Sequence, residues 1–267
     1  MQSEKTVLIT GAGSGLGEAM AQRLAGAGWR VFVTDQHAER AERVRAALPG
    51  AGHLDAALDV TDDTAWQETV ARIDTEFGRL DALINNAGVA TGGQLGETSL
   101  DDWQWVLEIN LMGVVRGCHH LVGRFREQGS GHIVNVASWA GLAAAPAIVA
   151  YGTAKAGVVA FSEMLRAELA PVGVEVSVLC PAFVPTRLTE TMRAPDPSYA
   201  ERVQKWMERS GITAEDVAGI VHEALERPRF LLLTHPETRW HYRIKRYAPE
   251  RYFRLLLKQM SKLMRGR

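Results

Sequence analysis

Thr10-Gly-Ala-Gly-Ser-Gly-Leu-Gly17, directly after the apolar run Val7-Leu8-Ile9, decides how this chain is read. The strict dinucleotide fingerprint needs glycine three places after Gly13, and Leu16 stands there instead. What remains is T-G-x-x-x-G-x-G, with Gly11, Gly15 and Gly17. Its physics is unchanged. A strand turns sharply, the backbone lies bare, and a helix opens with unpaired N–H groups that can face a pyrophosphate.

Working outward, short apolar runs alternate with segments of helical spacing. Val7–Thr10, Val31–Thr34, His53–Leu58, Leu83–Ile84, Ile133–Val136, Val174–Leu179 and Phe230–Leu233 read as seven strands. Between them, Leu16–Ala27, Thr64–Phe77, Trp103–Arg126, Ala154–Leu169 and Ala214–Leu225 read as helices. Such alternation predicts an α/β fold, a Rossmann-like doubly wound parallel sheet of about seven strands with helices on both faces. Several strands are apolar on both sides, as a buried parallel sheet requires. No internal repeat or low-complexity linker interrupts the 267 residues, so one domain is expected over 1–235, followed by a tail over 236–267.

Composition excludes several classes. Hydrophobic residues at 46% and charged residues at 23% argue against general disorder. The two cysteines, Cys118 and Cys180, are too few for a disulfide scaffold and suit a reducing compartment. Met1–Lys5 carries no sign of a secretory leader and the apolar region 134–161 is too interrupted to span a bilayer, so a cytoplasmic location is expected. The net charge of −1 hides an asymmetry: 239–267 carries ten Lys or Arg against one acid, Glu250. The preceding 238 residues hold 20 basic and 30 acidic side chains. Histidines such as His119 and His120 lack ligand partners at metal spacing, so no metal is expected.

Three local patterns carry chemistry. Asp35, 18 residues after Gly17 and at the end of strand two, can accept hydrogen bonds from ribose hydroxyls and would repel a 2′-phosphate. NAD is therefore expected over NADP, with Arg40 and Arg43 reading as the exposed face of the second helix. Tyr151 and Lys155 share a helix face at i, i+4. A free phenol titrates near pH ~10, so a phenolate base near neutrality needs roughly 3–4 kcal/mol of stabilisation. A nearby ammonium and the positive end of the helix dipole act in that direction. Ser138 follows strand five at the carboxyl edge of the sheet, where its hydroxyl could hold a substrate oxygen. Asn110 sits inside an amphipathic helix, where an amide needs a reason.

Taken with Asp59-Val60 and Asn85-Asn86-Ala87-Gly88, these motifs resemble the short-chain dehydrogenase/reductase family over about residues 5–235. The resemblance implies that Tyr151 is the general acid/base. Lys155 would hold the nicotinamide ribose and lower the phenol's pKa, Ser138 would orient the reacting carbonyl or alcohol, and Asn110 would hold a water in the proton relay. Gly11, Gly13, Ser14, Gly15, Leu16 and Gly17 would form the phosphate turn. Asp59 and Val60 would meet the adenine, and Asn86, Ala87 and Gly88 would lie along the cofactor. Pro181, the Val184 backbone and the Thr186 hydroxyl would border the nicotinamide. The family commonly has Pro-Gly after strand six; here Pro181-Ala182 requires a backbone without positive φ.

The implied reaction is hydride transfer between NAD and a secondary alcohol or ketone. The alternatives are a carbonyl reductase on reduced cofactor and, at greater distance, a nucleotide-sensing binding protein. Residues 182–211 would cover the substrate. With Ser138 and Tyr151, the residues Trp139, Phe183 and Met192 are expected to line its site, favouring a bulky lipophilic compound. Met and Trp could equally pack the lid, and Arg187, Arg193 and Arg202 could meet an anion. Cys118 and Cys180 read as inert core thiols, although Cys180 could touch the pocket.

In the tail, Tyr252, Leu256, Met260 and Leu263 form one stripe and Arg254, Lys258 and Lys262 another. That is a basic amphipathic helix. It could pack on its own body, on a second subunit of a homo-oligomer, or on an anionic membrane surface. Nucleic acid is a poor match for charge confined to one terminal helix.

Overall fold

The computed structural model describes residues 4–265, with side chains through Lys258. One sheet runs in the order β3-β2-β1-β4-β5-β6-β7. Its strands are β1 (Thr6–Ile9), β2 (Arg30–Asp35), β3 (Leu54–Ala57), β4 (Ala82–Asn85), β5 (Gly131–Val136), β6 (Val174–Cys180) and β7 (Leu231–Leu233). Every neighbouring pair is parallel. The seven expected strands all form, with ends moved by a residue or two. Between β1 and β4 the direction of winding reverses, which opens a crevice beyond their carboxyl ends.

Alternation along each strand sends side chains to two separate cores. Val7, Ile9, Val31 and Val33 pack against α1 (Gly15–Gly26), α2 (Ala38–Ala47) and α9 (Ala214–Glu226). Leu8, Phe32, Leu83 and Ile133 face α3 (Asp63–Arg72), α5 (Gly113–Gln128) and α7 (Val149–Leu169). Local signals start the helices. The Asp62 carboxylate accepts from Thr64 and Ala65 N–H at α3, and Thr213 and Asp216 form a capping box at α9.

The single helix expected over Trp103–Arg126 is α4 (Leu100–Leu107), a π-turn (Glu108–Met112) and α5 in continuous succession. A π-turn is rare within helices and frequent at functional sites; here it holds Asn110. A second π-turn, Ile73–Phe77, ends the segment expected as helix over Thr64–Phe77. After β5 comes a short helix, α6 (Trp139–Ala143). Residues 182–211 contain a 3₁₀ turn (Arg187–Thr189) and α8 (Ser198–Glu208).

The tail holds two helices, α10 (Pro236–Tyr247) and α11 (Pro249–Arg265). Proline starts each, a position where the missing N–H costs nothing. Ala248, preceding Pro249, is driven out of the helical region at φ −145° and ψ 64°, so the two cannot merge. In the expected stripes, Met260, Lys262 and Leu263 lie outside the described side chains. Tyr252 is buried, Leu256 is half-buried, and Arg254 is exposed.

Candidate active site

The crevice between β1 and β4 widens into a cleft of about 880 Å³. One end is built by the glycine turn. At φ +61°, Gly11 lies where a side chain is strained, and a Cβ there would come within 2.7 Å of the Ala87 Cα. A Cβ at Gly17 would meet the Gly11 carbonyl at 2.4 Å. Thr10 and Asn86 lock the turn from beneath. The Thr10 hydroxyl accepts from Asn86 N and Ala87 N, and the Asn86 amide donates to the carbonyls of Thr10 and Gly11 at 2.9 and 3.0 Å.

The helix N-terminus at this end is bare: Ser14 caps α1 without a side-chain hydrogen bond. That leaves the first N–H groups of α1 for an anionic ligand, as a pyrophosphate requires. At the tip of β2, Asp35 is buried and accepts from Gly13 N (3.1 Å) and His37 N (3.0 Å). Asp59 and Val60 form the neighbouring wall. Arg43 lies outside the wall as expected, its guanidinium on Glu18 and the Gly13 carbonyl. Arg40, in contrast, lines the cleft beside Asp35. Gly13 and Gly17 stand behind the wall, while Gly11, Ser14, Gly15 and Leu16 form it.

The other end brings together Ser138, Tyr151 and Lys155, with Asn110 behind them. Ser138 ends the β5 segment and caps α6, accepting from Ala140 N at 3.1 Å. Its hydroxyl donates to the Pro181 carbonyl at 3.5 Å and lies beside the Tyr151 phenol, whose pKa it draws down. The Lys155 ammonium is buried and donates to the Val136 carbonyl at 2.9 Å. Asn110 is wholly buried. Its carbonyl accepts from Val89 N and its amide donates to Val89 O, both at 2.8 Å. The reason for an amide inside that helix is thus visible: it clamps the chain leaving β4. Gly88 has no room for a side chain to spare, a Cβ there coming within 3.1 Å of Asn110 Oδ1 and 3.4 Å of Lys155 Nζ.

Electrostatics differ from the sequence expectation at one point. Burial pushes the Tyr151 phenol above its ordinary value, with the Ser138 hydroxyl pulling it back. Burial likewise lowers Lys155 to about 8. For the phenol, desolvation outweighs the lowering expected from the ammonium, which donates to the Val136 carbonyl. Cys180 is buried and pushed up to about 12, the state of an inert thiol. Cys118 is likewise buried, beside Asn85 and Asn135, and raised to about 12. Ala182 is absent from the positive-φ residues, so the loop after β6 adopts the backbone that alanine demands.

Pro181, Val184 and Thr186 border the cleft, and Thr186 approaches Gly15 across it. The three residues expected on the substrate wall, Trp139, Phe183 and Met192, are not among those that line this cleft. Trp139 turns toward His241 of α10, with ring centroids 6.4 Å apart. Phe183 is exposed and packs on Trp206 at 5.2 Å. Met192 lies against Gly92, where the lid pairs with the chain after β4 through Thr91 and Arg193. The cleft is lined instead by Gln104, Trp105, Leu107 and Glu108 from α4 and its π-turn, and by Leu188 and Met207 from the segment after β6. Arg193 joins the two sides, stacked 3.9 Å over Trp105 and paired with Asp102 at 3.3 Å. A tryptophan at helical spacing reads as core, yet Trp105 of α4 lines the cleft. Among the described residues no group of His, Cys, Asp and Glu could hold a metal ion, and no helix is long and apolar enough to cross a membrane.

A bare helix N-terminus facing an acid-tipped β2, across a switch point from a half-buried tyrosine and a buried lysine, defines a dinucleotide-binding oxidoreductase. The comparisons narrow this. The short chain dehydrogenase family model matches residues 5–197, and the chain belongs to that family. It is 42% identical to D-threitol dehydrogenase of Mycolicibacterium smegmatis over 186 residues, 69% of this chain and 72% of that protein. It is 34% identical to serine 3-dehydrogenase of Rhizobium radiobacter over 227 residues, 85% and 90% of the two chains. A short-chain dehydrogenase/reductase of Burkholderia phymatum, solved in complex with NAD, superposes with a TM-score of 0.86 at 33% identity, covering 93% and 95% of the two chains.

Proposed function

We propose that this oxidoreductase uses NAD to oxidise a secondary alcohol to a ketone, with Tyr151 as general base. The observation that carries the reading is the convergence of Tyr151, Ser138 and Lys155 at one end of a single cleft whose other end is the glycine turn. When bound, the nicotinamide supplies the hydride acceptor. Ser138 holds the substrate oxygen, and Tyr151 takes the hydroxyl proton as the carbinol hydride leaves. Lys155 holds the nicotinamide ribose, and the Asn110 clamp supports a water through which the proton departs. Ketone reduction is the same chemistry reversed, with the phenol donating.

Residues 1–235 form the dinucleotide-binding and catalytic unit in this reading, with 182–211 over the substrate. Trp105, Leu107, Leu188 and Met207 support an apolar body on the substrate. Gln104 and Glu108 leave room for a further hydroxyl, in keeping with a relative named for D-threitol. Asp35 supports NAD over NADP by excluding a 2′-phosphate, against the opposing pull of Arg40 beside it.

We assign the protein to the cytoplasm, where buried free thiols persist, and to a homo-oligomer. The exposed Phe253 and Leu257, four residues apart on α11, provide a face for a second copy. Contact with an anionic membrane surface through the same face is the competing reading, because Arg251 and Arg254 flank it. Cosedimentation with anionic liposomes, set beside the sedimentation mass of the protein alone, separates the two.

The function is tested by following absorbance at 340 nm with NAD and NADP in parallel across lipophilic secondary alcohols and polyols. The expected result is turnover with NAD at least about tenfold more efficient than with NADP, a ratio that falls by about that factor in Asp35→Ala. Better use of NADP, with the ratio unmoved in Asp35→Ala, contradicts the cofactor assignment.

A further inference from the structure

The helix that begins at Ser138 is five residues long. A helix leaves its last four carbonyls without intrahelical partners, so in α6 nearly the whole carbonyl end depends on outside donors. Water is excluded there, since Leu142 and Ala143 are 8% and 5% exposed. Two donors arrive from the tail. Lys245 of α10 donates its ammonium to the Leu142 carbonyl, and Tyr252 of α11 donates its hydroxyl to the Ala143 carbonyl at 2.7 Å. Tyr252 is itself buried, and His241 bridges the rings of Trp139 and Tyr252 at 6.4 Å from each.

What these donors hold is the short helix that leads out of Ser138, the last residue of this segment to line the cleft. Beyond α6 the chain runs through Ala144 and Ala147 at φ +53° and +62°, a left-handed backbone that alanine keeps only when its surroundings impose it. At its start, Ser138 caps α6, and Trp139 N donates to the Pro181 carbonyl at 2.8 Å. In its middle, α6 lies flush on α7, a Cβ at Gly141 falling within 2.6 Å of the Lys155 carbonyl carbon. A shift of α6 therefore moves Ser138 against Tyr151 and Lys155.

We propose that Tyr252 and Lys245 are positioning residues of the active site, closing the carbonyl end of α6 so that the Ser138 hydroxyl stays aimed at Tyr151. The proposal rests on the role given to Ser138 above. It also assigns part of the basic tail a task within its own chain: one of its lysines serves the C-terminal end of a helix, where a cation is favoured.

The experiment uses full-length protein carrying Tyr252→Phe, Lys245→Met, both together, and Lys245→Arg. Each keeps the packing stem and alters the donor. The readouts are kcat and its pH profile on the best alcohol, the NADH dissociation constant by fluorescence, and amide exchange of residues 139–148. For the double variant we expect kcat about tenfold lower, equal to ~1.4 kcal/mol, with NADH affinity within twofold. The limb of its profile that rises with pH moves to higher pH, because a displaced Ser138 no longer favours the phenolate. Exchange rises in 139–148 and not in 6–35, and Lys245→Arg recovers most of the rate lost in Lys245→Met.

An unchanged kcat and pH profile, with only the melting temperature lowered, overturns the proposal; so does NADH affinity falling in step with kcat. Failure of the wild type to turn over any alcohol defeats the assigned reaction and leaves the exchange comparison standing. Unchanged exchange in 139–148 overturns the tether on its own.

Discussion

The two edges of the one sheet are built on opposite principles. At the amino edge, buried polar groups are closed among themselves. Thr6 is bound through its N–H to Asp81 at 2.8 Å and through its hydroxyl to the Arg79 carbonyl at 2.7 Å. Gln128 exchanges hydrogen bonds with both backbone groups of Leu80. His132 meets Ser177 at 2.8 Å, and Ser177 donates onward to the Arg229 carbonyl. At the carboxyl edge the chain leaves groups open and backbone strained: an uncapped α1, a π-turn at Asn110 and two left-handed alanines. Asn85 Oδ1 and Thr91 Oγ1, flanking the loop after β4, are buried without a hydrogen-bond partner. One edge supplies stability, and the other leaves the N-terminus of α1 open to the cleft, where a ligand can use it.

Breaking the carboxyl edge at Lys155 has the largest expected effect. Lys155→Met removes the buried ammonium and lowers kcat by about 10²–10³-fold. The same change raises stability. With its value depressed to about 8, the lysine disfavours the fold below pH 8, and that penalty fades as pH rises from 8 toward 10.5. Set against one lost hydrogen bond, the net gain at pH 7 is roughly 2 kcal/mol. Urea unfolding of both proteins at pH 7 checks it, and a less stable variant would contradict this view of the edge.

The amino edge should respond to pH and leave catalysis alone. Burial lowers His132 to about 4, so the folded state binds fewer protons than the unfolded one between pH 4 and 6.5. Stability from this group is full above 6.5 and is lost as pH falls toward 4. At pH 5 the loss is roughly 2 kcal/mol relative to pH 7. Urea midpoints at the two pH values should therefore differ less in His132→Asn than in the wild type, and an equal difference removes the assignment.

A smaller change sharpens the comparison. Ala144→Gly relieves a left-handed alanine, a gain of about 1–2 kcal/mol offset by roughly 0.5–1 for glycine's unfolded freedom. The expected result is a slightly higher melting temperature, and a lower one would mean that the backbone there is unstrained.

Sequence spacing made the amino edge and the glycine turn legible because both depend on short-range patterns. Alternation along β1 and β2 placed the two cores, and Asn85–Gly88 placed the loop opposite Gly11. Asn110 stood out as an amide in a helix, but the reason, one inserted residue in a π-turn, leaves no compositional trace. Trp105 of α4 lines the cleft although its helical spacing reads as core, and α4 and Met207 stand where Trp139, Phe183 and Met192 are expected. The tail reads as basic and amphipathic, yet which of its residues meet α6 depends on a turn at Ala248 and on contacts 103 and 109 residues apart in sequence. Arg40 was misplaced for a simpler reason: helix periodicity fixes a face, not how far a long side chain extends beyond it.

The most direct test is Tyr151→Phe, with kcat and the NADH dissociation constant measured on the same preparation. The account predicts a kcat about 10³-fold lower with NADH affinity within about threefold of the wild type. Turnover retained within tenfold would contradict it, because the proton would then be moving without the phenol.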